Sequence, residues 1–549
     1  MQIEIKCIKI YWVILMQNVE KKLFVAINSK YSHTNLAVRY LYKVLKEKDV
    51  SSSFVEYTIN QPVREILSSI EKENPSVLMF SVYLWNIDYV LKISNAYKLM
   101  HPEITIIAGG PEVSYDSKEF LERNPQFSAI IAGEGEMILP KVLMEKEIKG
   151  VYTSDSFINM DELPFPYDDL KSLNNRVLYY ESTRGCPFGC AYCLSSADRT
   201  VRYRSLPLVF EDLQKFLDAG SMQIKFVDRT FNLNSERAYA IWEYLIEHDN
   251  GHTSFQMEIG GDLTTMKALE LLKKARVGLF RFEIGVQSTY EKTLNSVARK
   301  TDIERLKENV RIIKSYKNIH QHLDLIAGLP YETFQRFKKS YNDVFAMEPE
   351  MLQLGFLKLL KGSTLFKERK PLNLVYSPFA PYEILSTPSI SFTELSKLKK
   401  VEDMTETYYN SGRFSRELAY ILKLHPDPFD VFLNLGERLP ARPLSKYEFY
   451  DHLYTYAETL GIDKSSMSWL MRLDLCLHEP LRKIPANCSL GALPQEKKER
   501  LPKTRTSDIF YDLFPKNILD LNSDDEDLAA VSFNYSKKDP WGHAEIRFI

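Results

Sequence analysis

The sequence predicts an α/β protein with an N-terminal Rossmann-like, doubly wound domain, a partial (β/α)6 barrel and a mainly helical C-terminal domain. Three observations support this fold class. The chain has 549 residues, which is too long for one hydrophobic core. Short apolar runs alternate with amphipathic segments in two separate stretches, as expected of parallel strands joined by helices. After about residue 375 the alternation stops and helical patterns follow.

The first stretch of alternation, residues 21–150, predicts a parallel sheet of about five strands. Its strand-like runs are LFVAIN, SFVEYT, SVLMFSVY, ITIIAGG and SAIIAGEGE. These runs are almost continuously apolar, which is typical of strands with helices on both faces. A proline-containing acidic linker, residues 151–175, is expected to follow the sheet.

The second stretch, residues 176–375, predicts a TIM-like barrel or partial barrel of parallel strands. Its runs are LYYESTRG, IKFVDRTFN, SFQMEIGGDL, LFRFEIGVQS, HQHLDLIAGLP and MLQLGFLKLL. Each run is separated from the next by a plausible helix. In such barrels the chemistry lies at the carboxyl ends of the strands, where several polar motifs of this chain fall.

Residues 376–515 predict a mainly helical domain, and residues 516–549 a C-terminal tail. Two runs in the tail, VSFNYSKKDPWG and AEIRFI, are compatible with late strands. Residues 1–20 form a leader of doubtful status, because the apolar run 8–16 is about half as long as a membrane span. We favour Met16 as the true start over a weak signal peptide, and Cys7 then has no role.

The composition indicates a soluble protein of the cytoplasm. Hydrophobic residues make up 44% of the chain and charged residues 26%, as in ordinary globular proteins. The net charge of −2 does not favour nucleic-acid binding, which usually needs a basic surface. Six cysteines are too few for a disulfide framework and fit a reducing compartment, where clustered cysteines bind metal or do chemistry. We expect no membrane partner.

Three of the six cysteines, Cys186, Cys190 and Cys193, lie within eight residues in the stretch ESTRGCPFGCAYCLSS. A structural zinc site would need a fourth ligand, usually from a second pair, and Cys476 and Cys488 are distant and isolated. Three unrelated buried cysteines in one glycine-containing turn are a weaker alternative. An iron–sulfur cluster normally takes four thiolates, so three would leave one iron open to a substrate or cofactor.

This spacing, Cys-x3-Cys-x2-Cys with the aromatic Tyr192 before the last cysteine, resembles the motif of the radical S-adenosylmethionine (SAM) superfamily. The resemblance covers roughly residues 178–365. It implies a [4Fe–4S] cluster ligated by the three cysteines and SAM chelated to the fourth iron. One-electron cleavage of SAM would then give a 5′-deoxyadenosyl radical that abstracts hydrogen from a substrate. Gly185 and Gly189 would let the loop curl around the cluster.

The resemblance also implies that polar residues at the barrel strand ends bind SAM or the substrate. Each of them has an alternative as a strand-end cap or surface group. A Gly-Gly-Glu after the second strand, typical of the superfamily, is replaced here by DRTFN, so the ligand of the SAM amino group stays open. The candidates are Asp228, Glu258, Gly260, Gly261, Glu283, Gln287 and Asp324.

The loops AGGPEVS and AGEGE of the first domain resemble those of the cobalamin-binding domain that precedes many radical SAM cores. Open parallel sheets bind ligands at the carboxyl ends of their strands, and the alternative is that these loops are only turns. The sequence lacks Asp-x-His-x-x-Gly after the first strand, so His33 is not expected to ligate cobalt. The candidate cobalamin contacts are Ser81, Tyr83, Gly109, Gly110, Pro111, Glu112, Gly133 and Glu134.

The two resemblances together imply a cobalamin-dependent radical SAM enzyme, most simply a methyltransferase acting on an unactivated carbon or phosphorus centre. Radical cyclisation or rearrangement without methyl transfer is an alternative, and a cobalamin- or redox-sensing regulator is another. A transfer RNA methylthiotransferase is disfavoured, because residues 23–184 contain no cysteine for a second cluster. The expected partners are an unidentified substrate and an electron donor such as flavodoxin or ferredoxin. The helical domain is expected to shape the access of the substrate to the barrel.

Overall fold

A computed structural model describes residues 21–480, 501, 508–518, 528–538 and 542–548. The leader, with Cys7 and Met16, therefore lies outside the described residues. The chain divides into two compact units. The first consists of residues 1–281, 297–300 and 358–384, and the second of residues 282–296, 301–357 and 385–549. None of the described helices is long and apolar enough to cross a membrane.

The first unit begins with a six-stranded parallel sheet. Its strands are β1 (Lys22–Asn28), β2 (Ser53–Thr58), β3 (Val77–Ser81), β4 (Thr105–Gly109), β5 (Ala129–Ala132) and β6 (Gly150–Thr153). They are arranged in the order β2-β1-β3-β4-β5-β6, and every pairing is parallel. The sequence predicted about five strands, and the sixth is β6.

Helices cover both faces of this sheet, which explains why its strands are apolar throughout. Along β1, Leu23 and Val25 pack into one core while Phe24 and Ala26 pack into another on the opposite face. The doubly wound fold predicted for this domain is therefore present. The helices are Leu36–Glu47, Val63–Glu73, Ile87–Met100, Pro111–Ser114, Ser117–Arg123 and Leu139–Val142.

The first unit continues with strands of the second α/β region. Here β7 (Val177–Tyr180), β10 (Gln223–Phe226) and β11 (Ser254–Ile259) pair in parallel in the order β7-β10-β11. The short strands β8 (Thr183–Arg184) and β9 (Arg202–Tyr203) pair antiparallel on either side of the cysteine loop. The remaining helices and strands are Leu206–Asp218, Ser235–Glu247, Met266–Leu272, Thr364–Glu368, Val375–Tyr376 and, at the unit boundary, Ile384–Ser386.

The second unit holds the rest of the strand–helix repeat. Its strands are β12 (Phe280–Gln287, from Phe282 onward), β13 (His320–Ala327) and β14 (Met351–Phe356). β13 pairs in parallel with β14, and its residues alternate between buried and half-buried positions. This alternation places His320, His322 and Asp324 on one face and the fully buried Gln321 on the other. The connecting helices are Glu291–Ser296, Ile303–Tyr316 and Phe334–Phe345.

The C-terminal region of the second unit is helical, as predicted, up to residue 480. Two of its helices begin with capping boxes, formed by Ser391 with Glu394 and by Ser445 with Glu448, which satisfy backbone N–H groups at the helix start. The helices are Phe392–Met404, followed by a π-helical turn Thr405–Asn410, then Ser415–Leu424, Pro428–Glu437, Lys446–Thr459 and Lys464–His478.

A three-stranded antiparallel sheet follows these helices. Its strands are Ile509–Pro515, Leu528–Lys538 and Ala544–Phe548. The last two fall in the runs that the sequence marked as compatible with late strands, whereas the first lies within the range predicted as helical. The sheet packs on helix Lys464–His478 through a core that includes Trp469, Phe514 and Phe533. It is thus a folded element rather than a tail.

Candidate cofactor sites

The three clustered cysteines lie on a loop that is fixed by backbone contacts. Gly185 has a φ of +86°, and a Cβ there would lie 2.1 Å from the Thr200 carbonyl oxygen, so only glycine fits. The backbone N–H of Cys186 donates to the Asp198 carbonyl at 3.1 Å, and that of Ala191 donates to the Val297 carbonyl at 2.9 Å. The loop therefore has a defined path on both sides of its cysteines.

The cysteine side chains meet polar and cationic neighbours. All three are free thiols; Cys186 and Cys190 are buried and Cys193 is half-buried. Burial raises the pKa of the Cys186 thiol. The Arg299 guanidinium lies 4.0 Å from the Cys190 sulfur and 3.4 Å from the Tyr192 hydroxyl. Sequence reasoning missed Arg299, because it lies more than 100 residues further along the chain.

The donor set of this loop fits an iron–sulfur cluster. Three unpaired thiols on one short loop are the ligands that such clusters use. Among the described residues, no three or more His, Cys, Asp or Glu side chains are already gathered into a metal-binding group. The fit therefore rests on ligand chemistry and on the loop backbone.

Asp228, predicted as a cofactor contact, is hydrogen-bonded to Ser182 of the protein. It lies at the end of β10 and is buried. Its carboxylate accepts hydrogen bonds from the backbone N–H of Ser182 at 2.8 Å and from the Ser182 hydroxyl at 2.5 Å. Burial raises its pKa. The structure thus gives Asp228 a role in joining the ends of β7 and β10.

The turn after β11 is held by a residue that sequence reasoning did not select. The buried Asn232 accepts from the Gly260 backbone N–H at 2.8 Å and donates to the Gly260 carbonyl at 2.9 Å. A Cβ on Gly260 would lie 2.8 Å from the Leu263 side chain. Glu258, two residues earlier, is half-buried and Gly261 is buried. The turn is therefore compact and its backbone is fixed.

The candidates of the second unit include two acids grouped around a histidine. His322 lies on β13 with its Nε2 3.1 Å from Asp324 and its Nδ1 4.0 Å from Glu283. Gln287 ends β12 with a φ of +71°, and its buried side-chain oxygen has no hydrogen-bond partner among the described residues. Sequence reasoning overlooked His322, although it stands two residues before Asp324 on the same face of the strand.

The loop after β3 is held by a buried amide. The fully buried Asn86 donates to the Ile27 and Ser81 carbonyls and accepts from the Tyr83 backbone N–H at 2.8 Å. Tyr83 stacks on Trp85 with ring centroids 4.4 Å apart. Burial raises the pKa of Tyr83 to about 12, so the phenol is neutral. The Ser81 hydroxyl is already occupied, because it accepts from Asn35 at 3.1 Å.

The loop after β4 requires its second glycine. Gly110 has a φ of +111°, and a Cβ there would lie 2.5 Å from the Val82 carbonyl oxygen. Gly109 ends β4, and Pro111 begins the short helix that follows. The Glu112 carboxylate is buried; it accepts a hydrogen bond from the Tyr382 hydroxyl and lies 3.4 Å from the Lys361 ammonium. Glu112 is therefore paired within the protein.

The loop after β5 is joined to the cysteine loop by ion pairs. Gly133 has a φ of +87° with open space around it. Glu134 binds Arg202 at 2.6 Å and lies 3.5 Å from Arg184. Burial alone would raise the pKa of Glu134, but the two arginines outweigh burial and lower it. The sequence predicted Glu134 as a cobalamin contact, and the structure pairs it with arginines from another loop.

His33 lies in the loop after β1, and its side chain contacts another side chain of the protein. Its Nδ1 contacts the Tyr179 hydroxyl, and its backbone bridges to Val177 of β7. Burial lowers its pKa, and Lys30 and Lys225 add to this effect. The imidazole is therefore directed to Tyr179 of β7, and the expectation that it does not ligate cobalt stays a prediction.

Comparison with protein families assigns a class to each region. Residues 22–143 match the B12 binding domain, and residues 180–344 match the radical SAM superfamily. Residues 371–526 match a third family, described as a protein of unknown function, DUF4080. The chain is therefore a radical SAM protein with an N-terminal B12-binding domain, as the two motifs in the sequence implied.

Individual proteins resemble this chain at low identity. An uncharacterized methyltransferase of Pyrococcus horikoshii is 21% identical over 367 residues, which cover 62% of this chain and 79% of that protein. An anaerobic magnesium-protoporphyrin IX monomethyl ester cyclase of Rubrivivax gelatinosus is 22% identical over 340 residues, covering 56% of this chain and 60% of that protein. The chain thus spans less than two thirds of the cyclase.

A solved structure shares the fold over most of the chain. OxsB, a cobalamin-dependent SAM radical enzyme determined with aqua-cobalamin and SAM bound, superposes with a TM-score of 0.59 at 15% identity. The match covers 83% of this chain and 79% of that chain. The two proteins therefore share a fold that, in this chain, includes the B12-binding sheet, the radical SAM region and the helical C-terminal region.

Proposed function

We propose that this protein is a cobalamin-dependent radical SAM methyltransferase acting on an unactivated carbon or phosphorus centre. The observation that carries the proposal is the direct connection between its two candidate cofactor loops. The cysteine loop and the loop after β5 belong to one compact unit, and Arg184 joins them through Glu136 at 2.6 Å. Two cofactors bound at these loops would serve one reaction.

Specific residues would hold each cofactor. Cys186, Cys190 and Cys193 would ligate a [4Fe–4S] cluster, and polar residues at the strand ends would bind SAM. The loops after β3, β4 and β5 would bind cobalamin. When bound, these groups supply a 5′-deoxyadenosyl radical that removes hydrogen from a substrate and a methyl group that takes its place.

The protein's own contribution is positioning and proton control. Glycine-dependent turns at Gly110 and Gly185 bring backbone close to the sites. The neutral Tyr83 phenol can donate a hydrogen bond without carrying charge. An electron donor such as flavodoxin or ferredoxin would supply the electron, and the free thiols of the cysteine loop fit a reducing cytoplasm.

Anaerobic reconstitution with iron, sulfide and hydroxocobalamin, followed by dithionite and SAM, tests this function. We expect an iron–sulfur absorption band, a corrinoid band, and both 5′-deoxyadenosine and S-adenosylhomocysteine as products. Replacing Cys186, Cys190 or Cys193 with Ala should remove the iron–sulfur band and the 5′-deoxyadenosine while the corrinoid band remains. Cys476→Ala, a buried cysteine in the helical region, is the matched control and should keep both products.

The products distinguish methyl transfer from the alternatives. A ring-forming enzyme would release 5′-deoxyadenosine without S-adenosylhomocysteine, because it does not use the SAM methyl group. A regulator would bind both cofactors without consuming SAM. Either outcome would contradict a methyltransferase.

A further inference from the structure

An arginine at the base of the cysteine loop gathers carboxylates from two regions of the chain. Arg184 stands two residues before Cys186 and is mostly buried. Its guanidinium lies 2.6 Å from Glu136 and 3.5 Å from Glu134 in the loop after β5, and 2.8 Å from Glu181 at the end of β7. A guanidinium stays protonated throughout the physiological pH range. Arg184 is therefore permanently charged.

A second arginine, at the other base of the same loop, repeats the contact. Arg202 lies on β9, directly opposite Arg184 in the β8–β9 pair. It binds Glu134 at 2.6 Å and Asp198 at 2.9 Å. We call Arg184, Arg202, Glu134 and Glu136 the arginine–glutamate bridge. It connects both ends of the cysteine loop to the loop after β5.

The bridge is sensitive to the loss of either arginine. Four acidic side chains, those of Glu134, Glu136, Glu181 and Asp198, share only two guanidinium groups. Glu136 is buried, with 7% of its surface exposed. A buried carboxylate that loses its partner is strongly disfavoured. Removing Arg184 would therefore weaken the connection to the loop after β5, which would then depend on the pair between Arg202 and Glu134.

A second connection between the two sites runs through residues 361–382. Lys361 lies 3.4 Å from Glu112 and 3.3 Å from Asp116, next to the loop after β4. Four residues later the Leu365 backbone N–H donates to the Ala191 carbonyl, inside the cysteine loop, at 2.9 Å. The cysteine loop is thus joined independently to two of the loops expected to contact cobalamin.

We propose that Arg184 and Arg202 are positioning residues that make cobalamin binding and cluster assembly thermodynamically coupled. The inference rests on the proposed function only in placing cobalamin at the first sheet and the cluster at the cysteine loop. A cofactor favours the position of its loop in which it binds best. Because the bridge joins these loops, fixing the position of one biases the position of the other, so binding at one site changes the affinity of the second site. Linkage then requires the effect to be reciprocal.

Titration of the full-length protein with hydroxocobalamin measures this coupling directly. The dissociation constant is compared between cluster-free and cluster-reconstituted protein under anaerobic conditions. We expect the cluster to tighten hydroxocobalamin binding by about 5-fold or more, in the usual range of coupling between sites. In Arg184→Gln and in Arg202→Gln the ratio should in each case fall at least about twofold without reaching one, since the other arginine still binds its glutamate and Lys361 still pairs with Glu112.

Arg276→Gln is the matched control. Arg276 pairs with Asp249 at 2.7 Å and with the Thr253 carbonyl, beside the amino end of β11 and away from the cysteine loop. It should keep the wild-type ratio. Should Arg184→Gln be insoluble, Glu136→Gln carries the test. This variant removes the ion pair between Arg184 and Glu136 by changing the residue in the loop after β5.

The outcomes separate this inference from the proposed function. A wild-type ratio near one, or an undiminished ratio in both Arg184→Gln and Glu136→Gln, would overturn the coupling while both cofactors still bind. Failure of the wild-type protein to bind either cofactor would overturn the proposed function and the coupling together.

Discussion

At the scale of single residues, Gly110 shows how backbone geometry determines a loop. Its φ of +111° is a conformation that side chains rarely adopt, and the space for a Cβ is taken by the Val82 backbone. Gly150 has a similar φ of +97° but open space around it. A substitution at Gly150 therefore tests backbone strain alone, whereas a substitution at Gly110 adds a clash with the loop after β3.

Gly110→Ala should destabilise the protein more than Gly150→Ala. For Gly150→Ala we expect a loss of about 1–2 kcal/mol from the left-handed backbone alone. For Gly110→Ala the clash adds to this, so the loss should exceed about 2 kcal/mol and hydroxocobalamin binding should weaken. Thermal unfolding and cobalamin titration of both variants measure these effects. Equal losses in the two variants would show that the loop after β3 moves aside.

The residues missed from the sequence are mainly cations. Arg184 pairs with a glutamate 48 residues away, and Arg299 lies 109 residues from Cys190. A motif records residues that are close along the chain, so it cannot show such pairs. For the same reason Glu112 and Glu134 were selected as cofactor contacts although both are paired within the protein. Their roles toward cobalamin stay predictions.

At the scale of secondary structure, the strands predicted from the sequence are those with a strong apolar pattern. β1 and β3 are almost fully buried. Because helices cover both of their faces, nearly every residue in them is apolar, and this apolar run is visible in the sequence. β6 was missed because its four residues are half-buried or exposed and carry no such pattern. The strand Ile509–Pro515 was missed because its run IFYDLFP does not alternate between apolar and polar residues.

One contact between elements depends on a buried acid. Glu332 follows β13 and accepts hydrogen bonds from the Ser288 and Ser340 hydroxyls, both at 2.7 Å. Ser288 follows β12, and Ser340 lies on helix Phe334–Phe345. Burial raises the pKa of Glu332 to about 7. The folded protein therefore holds this proton more tightly than the unfolded chain does.

Glu332→Gln should remove a pH dependence from the stability of the second unit. In the wild type the raised pKa favours folding at low pH, and this contribution is lost as the pH rises from about 4.5 to about 7. Glutamine stays neutral, so the variant should gain up to about 3 kcal/mol over the wild type between pH 5 and pH 8. Unfolding temperatures across this range test it, and parallel curves would contradict it.

At the scale of the whole molecule, the candidate cofactor loops of the cysteine region and the first sheet lie in one unit, and the C-terminal sheet lies in the other. That sheet is anchored by aromatic side chains. Phe533 is fully buried and its ring lies 5.8 Å from that of Phe514. The stability of the C-terminal sheet can therefore be perturbed without touching the residues proposed to hold cobalamin.

Phe533→Ala should destabilise the second unit by about 3–5 kcal/mol, because it leaves a cavity in a packed core. Hydroxocobalamin binding should be unchanged. Phe392→Ala, at an exposed position in the same unit, is the control and should alter stability by no more than about 0.5 kcal/mol. Calorimetry and cobalamin titration check both statements; weakened cobalamin binding in Phe533→Ala would show that the two units depend on each other.

The contact between Tyr382 and Glu112 has a consequence for biosynthesis. The two residues are 270 positions apart in the chain. At the usual rates of translation, Glu112 is added to the chain roughly 14 to 54 s before Tyr382. Throughout that interval the loop after β4 lacks its partner from the later chain. The nascent protein therefore completes this candidate cofactor loop only after the strands β7 to β14 have been synthesised.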